Sequence, residues 1–433
     1  MRWTISVDGG PKRVNHAACA IGNKIYSFGG YCSGENPSRT APLDVHMFDP
    51  ETMKWTRLFG EEPDLRVPHK SVSSESSVFE EEVDWDHDMS YEDDETQDDY
   101  DWRYNPLSDE INAEFDVVNT FKELPFMRYG HTVVCYNGKG YIWGGRNDEH
   151  GASQRLYEYD PEENNFHPVD SVNEAPPARD GHTAVVHGHE MIIFGGFEED
   201  NQRFSQECYS YNFLSREWKL LKTKNTPPQY RDFHAACVMD NKMYVFGGRC
   251  DERGQYHSNA DYYDDVLRYL DLETLEWIQP EVKGELPMGR RSNAMWTHNG
   301  MLYMFGGYNS RVDQHYGDLR RFDPKTGEWH KLLFPGLRPT PRRRHCSVMV
   351  DDKLYLFGGT MPHPNKKNGG LLDLGDLYVL EYGNVLTSIC FDSLAWNGYM
   401  DLMLEHLPTT VIESLRPNLT DKRYQNMTPN NPY

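Results

Sequence analysis

Two adjacent glycines close a short apolar run six times along this chain, at Gly29–Gly30, Gly144–Gly145, Gly195–Gly196, Gly247–Gly248, Gly306–Gly307 and Gly358–Gly359. The first glycine of each pair stands thirteen residues after the end of an Arg-x-x-His motif. Those motifs are Arg13–His16, Arg128–His131, Arg179–His182, Arg231–His234, Arg290–Asn293 and Arg342–His345, the fifth alone ending in Asn. Six coincidences at one offset make an internal repeat. A repeat restricts the chain to arrays in which each unit buries its faces against its neighbours.

Within each copy a short apolar run ends on the glycines. A polar loop follows, then a strand such as "DVHMFD" or "DLRRFD", then an aromatic: Trp55, Phe166, Trp218, Trp277 or Trp329. From the second repeat on, each aromatic precedes the next motif arginine by thirteen residues. Four short alternating strands per unit of about fifty residues is the kelch spacing, one propeller blade per repeat. The expected fold is all-β, a six-bladed kelch β-propeller over residues 1–382, with blades near 13–60, 128–170, 179–222, 231–280, 290–333 and 342–382. The sixth repeat lacks its aromatic strand, and Trp3 lies ten residues before Arg13, where an outer-strand Trp belongs. The N-terminal strand 2–7, in "RWTISV", is therefore expected to complete blade six and close the ring.

Five histidines and one asparagine repeated around an axis invite a metal or catalytic reading. A position repeated in every blade serves the blade, so the Arg and His are read as hydrogen-bonding partners of buried backbone near the inner strand. No metal, cofactor or catalytic residue is assigned. The glycines are read as backbone devices; no helix follows them, as a phosphate loop would require.

Function then sits where the repeats differ. Strands run up and down within a blade, so the connection before strand one and the connection after strand two emerge on one face. That face gathers Tyr129, Arg146, Arg249, Arg253, Arg291, Ser292 and Tyr308 with Tyr31, Phe197, Thr360, Arg343 and Arg344. The expectation is an aromatic, basic mouth suited to an anionic ligand group.

The rest of the chain is acidic. Net charge is −24, and residues 80–116 hold seventeen Asp or Glu against one Arg. This balance argues against nonspecific binding to nucleic acid or an anionic membrane. Residues 61–120 are read as a disordered acidic insertion between blades one and two. Eight scattered cysteines without a C-x-x-C pair read as reduced thiols, and no secretory or membrane-spanning run is found. The expected location is cytoplasm or nucleus. Asn418 and Asn426 match the glycosylation pattern and are taken to be idle there.

The tail, 383–433, changes period. Leu386, Cys390 and Leu394 form an apolar stripe down one predicted helix face with Asn384 as N-cap. A second predicted helix starts at Leu407–Pro408 and carries Val411 and Leu415 on one side. Helices outside a closed propeller pack on its flank or fill a partner's groove.

Stretches such as "RVNHAACAIGNKIYSFGGYCSGE", "MRYGHTVVCYNGKGYIWGGRND" and "RDFHAACVMDNKMYVFGGR", with the tail, resemble the kelch receptors of cullin-2 RING ubiquitin ligases. Leu386-x-x-x-Cys390-x-x-x-Leu394 is similar to that family's elongin-binding box, and Leu407-Pro408-x-x-Val411 to its cullin-2 box. The resemblance implies a non-catalytic receptor partnered by elongin B/C, cullin-2 and a RING subunit. It also implies capture of C-terminal degrons ending in glycine. Carried over residue by residue, Arg249 would clamp the terminal carboxylate, Arg253 lies near a second arginine, and Ser292 would be the assisting hydroxyl. The alternatives are a kelch scaffold that binds actin or chromatin, and a copper oxidase of the galactose oxidase kind. The cysteines sit mostly in inner-strand contexts and disfavour the oxidase.

Overall fold

A computed structural model describes residues 1–6, 9–33, 41–60, 124–333, 338–365 and 370–382. Each apolar run before a glycine pair is a second strand, hydrogen-bonded antiparallel to a first strand that begins just after the motif's last residue or, in blade two, inside the motif at Tyr129. Third and fourth strands complete four-stranded sheets in sequence order. Blade one is Ala17–Ile21, Lys24–Phe28, Val45–Asp49 and Lys54–Phe59, and blade four is Ala235–Met239, Lys242–Phe246, Arg268–Asp271 and Glu276–Ile278. In blade five a short strand, Lys283–Gly284, adds parallel to the outer edge at Glu328–Trp329. The only helical element among the described residues is a 3-10 turn at Ser310–Val312.

Blade six has the order Cys346–Val350, Lys353–Phe357, Leu377–Glu381 and then Arg2–Ser6. Trp3 faces Leu380 across an antiparallel ladder, so the two ends of the repeat array meet in one sheet as expected. Inner strands pack pairwise all the way round, including Ala17–Ile21 on Cys346–Val350. The fold is a closed six-bladed propeller.

Its core is six cores, one at each seam between blades. Ile142 and Tyr159 of blade two pack with Phe28 and Val45 of blade one; Val348 and Phe357 of blade six pack with Ile25 and Phe48 of blade one. The outer-strand aromatic of each blade lies against the residue immediately before the glycine pair of the preceding blade. Ring centroids are 5.1 Å apart for Trp55–Phe357, 5.3 Å for Trp218–Trp143, 5.0 Å for Trp277–Phe194 and 6.1 Å for Trp329–Phe246. Trp3 takes the same place on Phe305, at 5.8 Å. An outer aromatic thus belongs energetically to two blades, which is why a single blade cannot stand alone.

Candidate functional site

Every motif arginine is buried, at most 5% exposed. In blades two to six the guanidinium donates to the carbonyl of the first glycine of its own pair, as Arg231 does to Gly247 at 2.7 Å, and to the carbonyl two residues before itself. The structure therefore assigns the arginines to the blades, as expected, and adds a partner the motif did not disclose. Arg13, Arg179, Arg231, Arg290 and Arg342 each pair with a buried or half-buried carboxylate: Asp44, Glu198, Asp264, Asp318 and Asp376. Four of these acids lie just before the third strand, a repeated signal present in the sequence as "LDV", "DDV" and two copies of "GDL". Blade two has Arg155 immediately before its third strand. Arg128 stacks instead on Phe126, 3.9 Å from the ring centre, and burial lowers its pKa to about 10.

The histidines sit at the seams. The imidazoles of His131, His182, His234, His345 and His16 each press on the first glycine of the preceding blade, where a Cβ would approach to between 2.4 and 3.2 Å; at the fourth seam Asn293 takes the place, at 3.2 Å from a Cβ on Gly247. Those glycines have positive φ as well, so both space and backbone demand them. Burial keeps the rings neutral, with pKa values lowered to about 3 for His16, His131 and His345. Among the described residues no His, Cys, Asp and Glu grouping is arranged to hold a metal.

The residue between motif Arg and His that lies nearest the axis is the third of each motif: Asn15, Gly130, Gly181, Phe233, Ser292 and Arg344. All six have positive φ, from 47° to 68°. Each backbone N–H donates to the carbonyl of its counterpart in the blade before, at 2.7–3.1 Å, and Asn15 donates to Arg344. Six hydrogen bonds thus close a belt around the axis. The belt and the seam side chains line a cavity of about 160 Å³.

The second residue of each motif bridges to the residue after its glycine pair: Val14–Tyr31, Tyr129–Arg146, Asp180–Phe197, Asp232–Arg249, Arg291–Tyr308 and Arg343–Thr360. These pairs stand around the mouth of the belt, so the expected convergence of the two loops on one face holds. The expected basic character holds only in part. Arg249 is bound by both oxygens of buried Asp232, at 2.6 and 3.2 Å, with Phe204 5.3 Å from its guanidinium. Arg146 lies 3.5 Å from Asp148 and 3.4 Å from Glu199, and Tyr129 donates to Asp148 at 2.9 Å. Burial and the neighbouring Asp232 push the carboxyl of Asp180 up to about 7. Blades two and four therefore present Arg146 and Arg249 already matched by acids, which reading the arginines alone did not show. Across blades five and six, Arg291 and Arg343 flank Tyr308, 5.8 and 4.2 Å from its ring. Ser292 belongs to the belt, whereas Arg253 stands on an exposed turn, its backbone N–H held by Asp251 at 2.8 Å. Leu386, Cys390, Leu394, Leu407, Pro408 and Val411 lie outside the described residues, as does the acidic insertion.

Six blades, the seam histidines and the glycine pairs define a kelch-repeat propeller. A family model described as the KLHDC2/KLHL20/DRC7 Kelch-repeats domain matches residues 130–359, and a Kelch motif model matches residues 12–58. The chain is 37% identical over 393 residues to kelch domain-containing protein 3 of Homo sapiens, covering 90% of this chain and 89% of that protein, and equally to its Mus musculus counterpart. Host cell factor 2 of Homo sapiens is 29% identical over 255 residues, 55% of this chain and 31% of that protein. The chain belongs to the kelch-repeat family that includes kelch domain-containing protein 3.

Proposed function

We propose that this propeller is the non-catalytic substrate-recognition subunit of a cullin-2 RING ubiquitin ligase. It binds C-terminal degrons ending in glycine and directs their proteins to ubiquitination and proteasomal degradation. The observation that carries the binding half is the mouth: Arg249, Arg291, Ser292 and Tyr308 stand on one face around a narrow polar cavity. A guanidinium matches a carboxylate in geometry and charge, and a narrow cavity favours glycine by excluding side chains. Arg146, Tyr129 and Arg253 form the outer contacts of this reading. The ligase half rests on the two boxes of the tail, with Leu386, Cys390 and Leu394 for elongin B/C and Leu407, Pro408 and Val411 for cullin-2 and its RING subunit. No cofactor or nucleic acid takes part, and the reading places the protein in cytoplasm and nucleus.

A glycine-ended peptide and its C-terminally amidated twin separate this function from a scaffold role. Fluorescence anisotropy should show binding of the free acid and loss of at least tenfold in affinity on amidation, since one side of a charge-assisted pair is removed. Equal binding of the two, with no elongin B/C in affinity captures, would leave an actin- or chromatin-binding scaffold as the function.

A further inference from the structure

The first strand of blade five breaks the repeat at one position. Three residues after the motif, the other blades carry Cys19, Val134, Val185, Cys237 and Val348, whereas blade five carries Trp296. Trp296 is 5% exposed, and its indole Nε1–H donates to the hydroxyl of Tyr382 at 2.5 Å. Where repeats differ is where function is to be sought.

Tyr382 belongs to blade six and is the last described residue before the tail. Its ring lies across the seam on blade five, 3.7 Å from the imidazole of His298 at 27°, and 5.4 Å from Tyr303 at 71°. Tyr303 in turn stacks on Trp296, at 5.9 Å and 10°. His298 is steadied by Asn299, 2.9 Å from its Nε2, and by Asp352 of blade six, 4.0 Å from its Nδ1. Burial raises the Tyr382 hydroxyl above the ordinary tyrosine range and keeps it protonated. A buried phenolic oxygen needs a partner, and Trp296 supplies it.

The residue after the third strand is Pro50, Pro161, Phe213, Leu272, Pro324 and Tyr382 in blades one to six. Phe213 stacks on Tyr136 of blade two in the same way, at 4.0 Å and 8°. The chain then turns and comes back as the fourth strand, Glu217–Leu220. In blade six the fourth place is taken by Arg2–Ser6, so the sheet has no place for the chain beyond Tyr382. Second strands end on the mouth, and third strands run away from it. Tyr382 therefore stands on the face opposite the mouth.

We propose that Trp296, His298 and Tyr303 form a latch on Tyr382 that fixes where the C-terminal segment leaves the ring. The partner bound by that segment is thereby seated beneath blades five and six, on the face away from the mouth. Tyr382 is a positioning residue: it sets the span between a ligand in the mouth and a protein on the tail. A loosened joint widens the volume the partner explores and lowers its effective concentration at the ligand. The latch rests on the described residues alone; naming the partner elongin B/C rests on the function proposed above.

The test uses the full chain, alone and co-purified with elongin B/C. Trp296→Val and Tyr382→Leu insert residues that other blades carry at these places, so both variants should melt within a few degrees of wild type. In the chain alone, amide hydrogen exchange at Tyr382 should quicken at least tenfold in both, with affinity for a glycine-ended peptide unchanged. In the complex, lysine cross-links from elongin B/C should reach Lys353 and Lys325 in wild type but not Lys12, which borders the mouth. Both variants should still capture elongin B/C, while their cross-links spread to Lys12 and ubiquitin transfer to a glycine-ended substrate falls several-fold. A wild type that captures no elongin B/C would reject the ligase reading, and quickened exchange in the variants would still support the latch. Unchanged exchange in both variants would overturn the inference, as would wild-type cross-links centred on Lys12 or a cross-link pattern that neither variant alters.

Discussion

The backbone N–H of Asn15, in the first blade, donates to the carbonyl of Arg344, in the sixth, at 3.1 Å. This bond closes the axial belt at the seam where the chain's ends meet. The same seam is crossed by the contact of His16 with Gly358, and blade six is itself completed by the ladder from Trp3 to Leu380. Closure therefore depends on noncovalent contacts between residues more than three hundred positions apart.

Removing the closing strand should destabilise the whole ring. Trp3 is 7% exposed and packs on Phe305 and Tyr378. Trp3→Ala should cost about 3–5 kcal/mol, and deletion of residues 1–9 should cost more because it also exposes the edge of Leu377–Glu381. Chemical denaturation monitored by tryptophan fluorescence measures both. A deletion variant as stable as wild type would show that blade six does not need this strand.

The paired and unpaired motif arginines should differ. Arg342→Leu strands Asp376, whose oxygens accept from the guanidinium at 2.7 Å each. The ordinary cost of stranding a buried charge is about 3–5 kcal/mol. Asp376 keeps 23% side-chain exposure, so Arg342→Leu should exceed Arg128→Leu by about 2 kcal/mol, after the usual discount for screening. Comparable losses in urea titrations of the two variants would show that the carboxylates contribute little.

Stability should depend on pH through Asp180. Burial pushes its carboxyl up to about 7 in the folded chain, against 3.8 for a solvated aspartate. Between those values the folded form holds the proton that the unfolded form has released, so stability falls as pH rises from about 4 to 7 and then levels. Asp180→Asn keeps the shape without the charge. Its melting temperature should exceed that of wild type at pH 8, with the difference shrinking as the pH is lowered toward 4. A pH-independent difference would place the effect of Asp180 in packing.

The tail carries its own test. Leu386→Ala combined with Cys390→Phe should abolish co-purification of elongin B/C while the melting temperature of the propeller stays unchanged. Elongin recovered in full by the double variant would remove the elongin-binding box from the proposed function.

The repeat made the architecture legible in the amino-acid order. A blade needs a residue type at a fixed place in every copy, so Arg231, His234 and Gly247 announced themselves by recurrence, and the missing sixth aromatic pointed to Trp3. The faces were legible for the same reason, because strand direction alternates and sends Asp232 and Arg249 to one side. What the order of residues does not contain is which charges meet. Arg249 and Arg344 look alike in sequence, each an arginine on the mouth loops. Asp232 lies seventeen positions before Arg249, and their bidentate pairing arises only when the two loops bridge across a blade. Asp180 is perturbed by Asp232 from the next blade, a contact set by the propeller's curvature. Electrostatic energies fall with distance and grow with burial, and both quantities are products of the closed ring. The sequence by itself thus determined the blades and the seams that hold them. Only the tertiary structure decided that Arg249 and Arg146 on the rim meet acids, because those pairs form only where the loops converge.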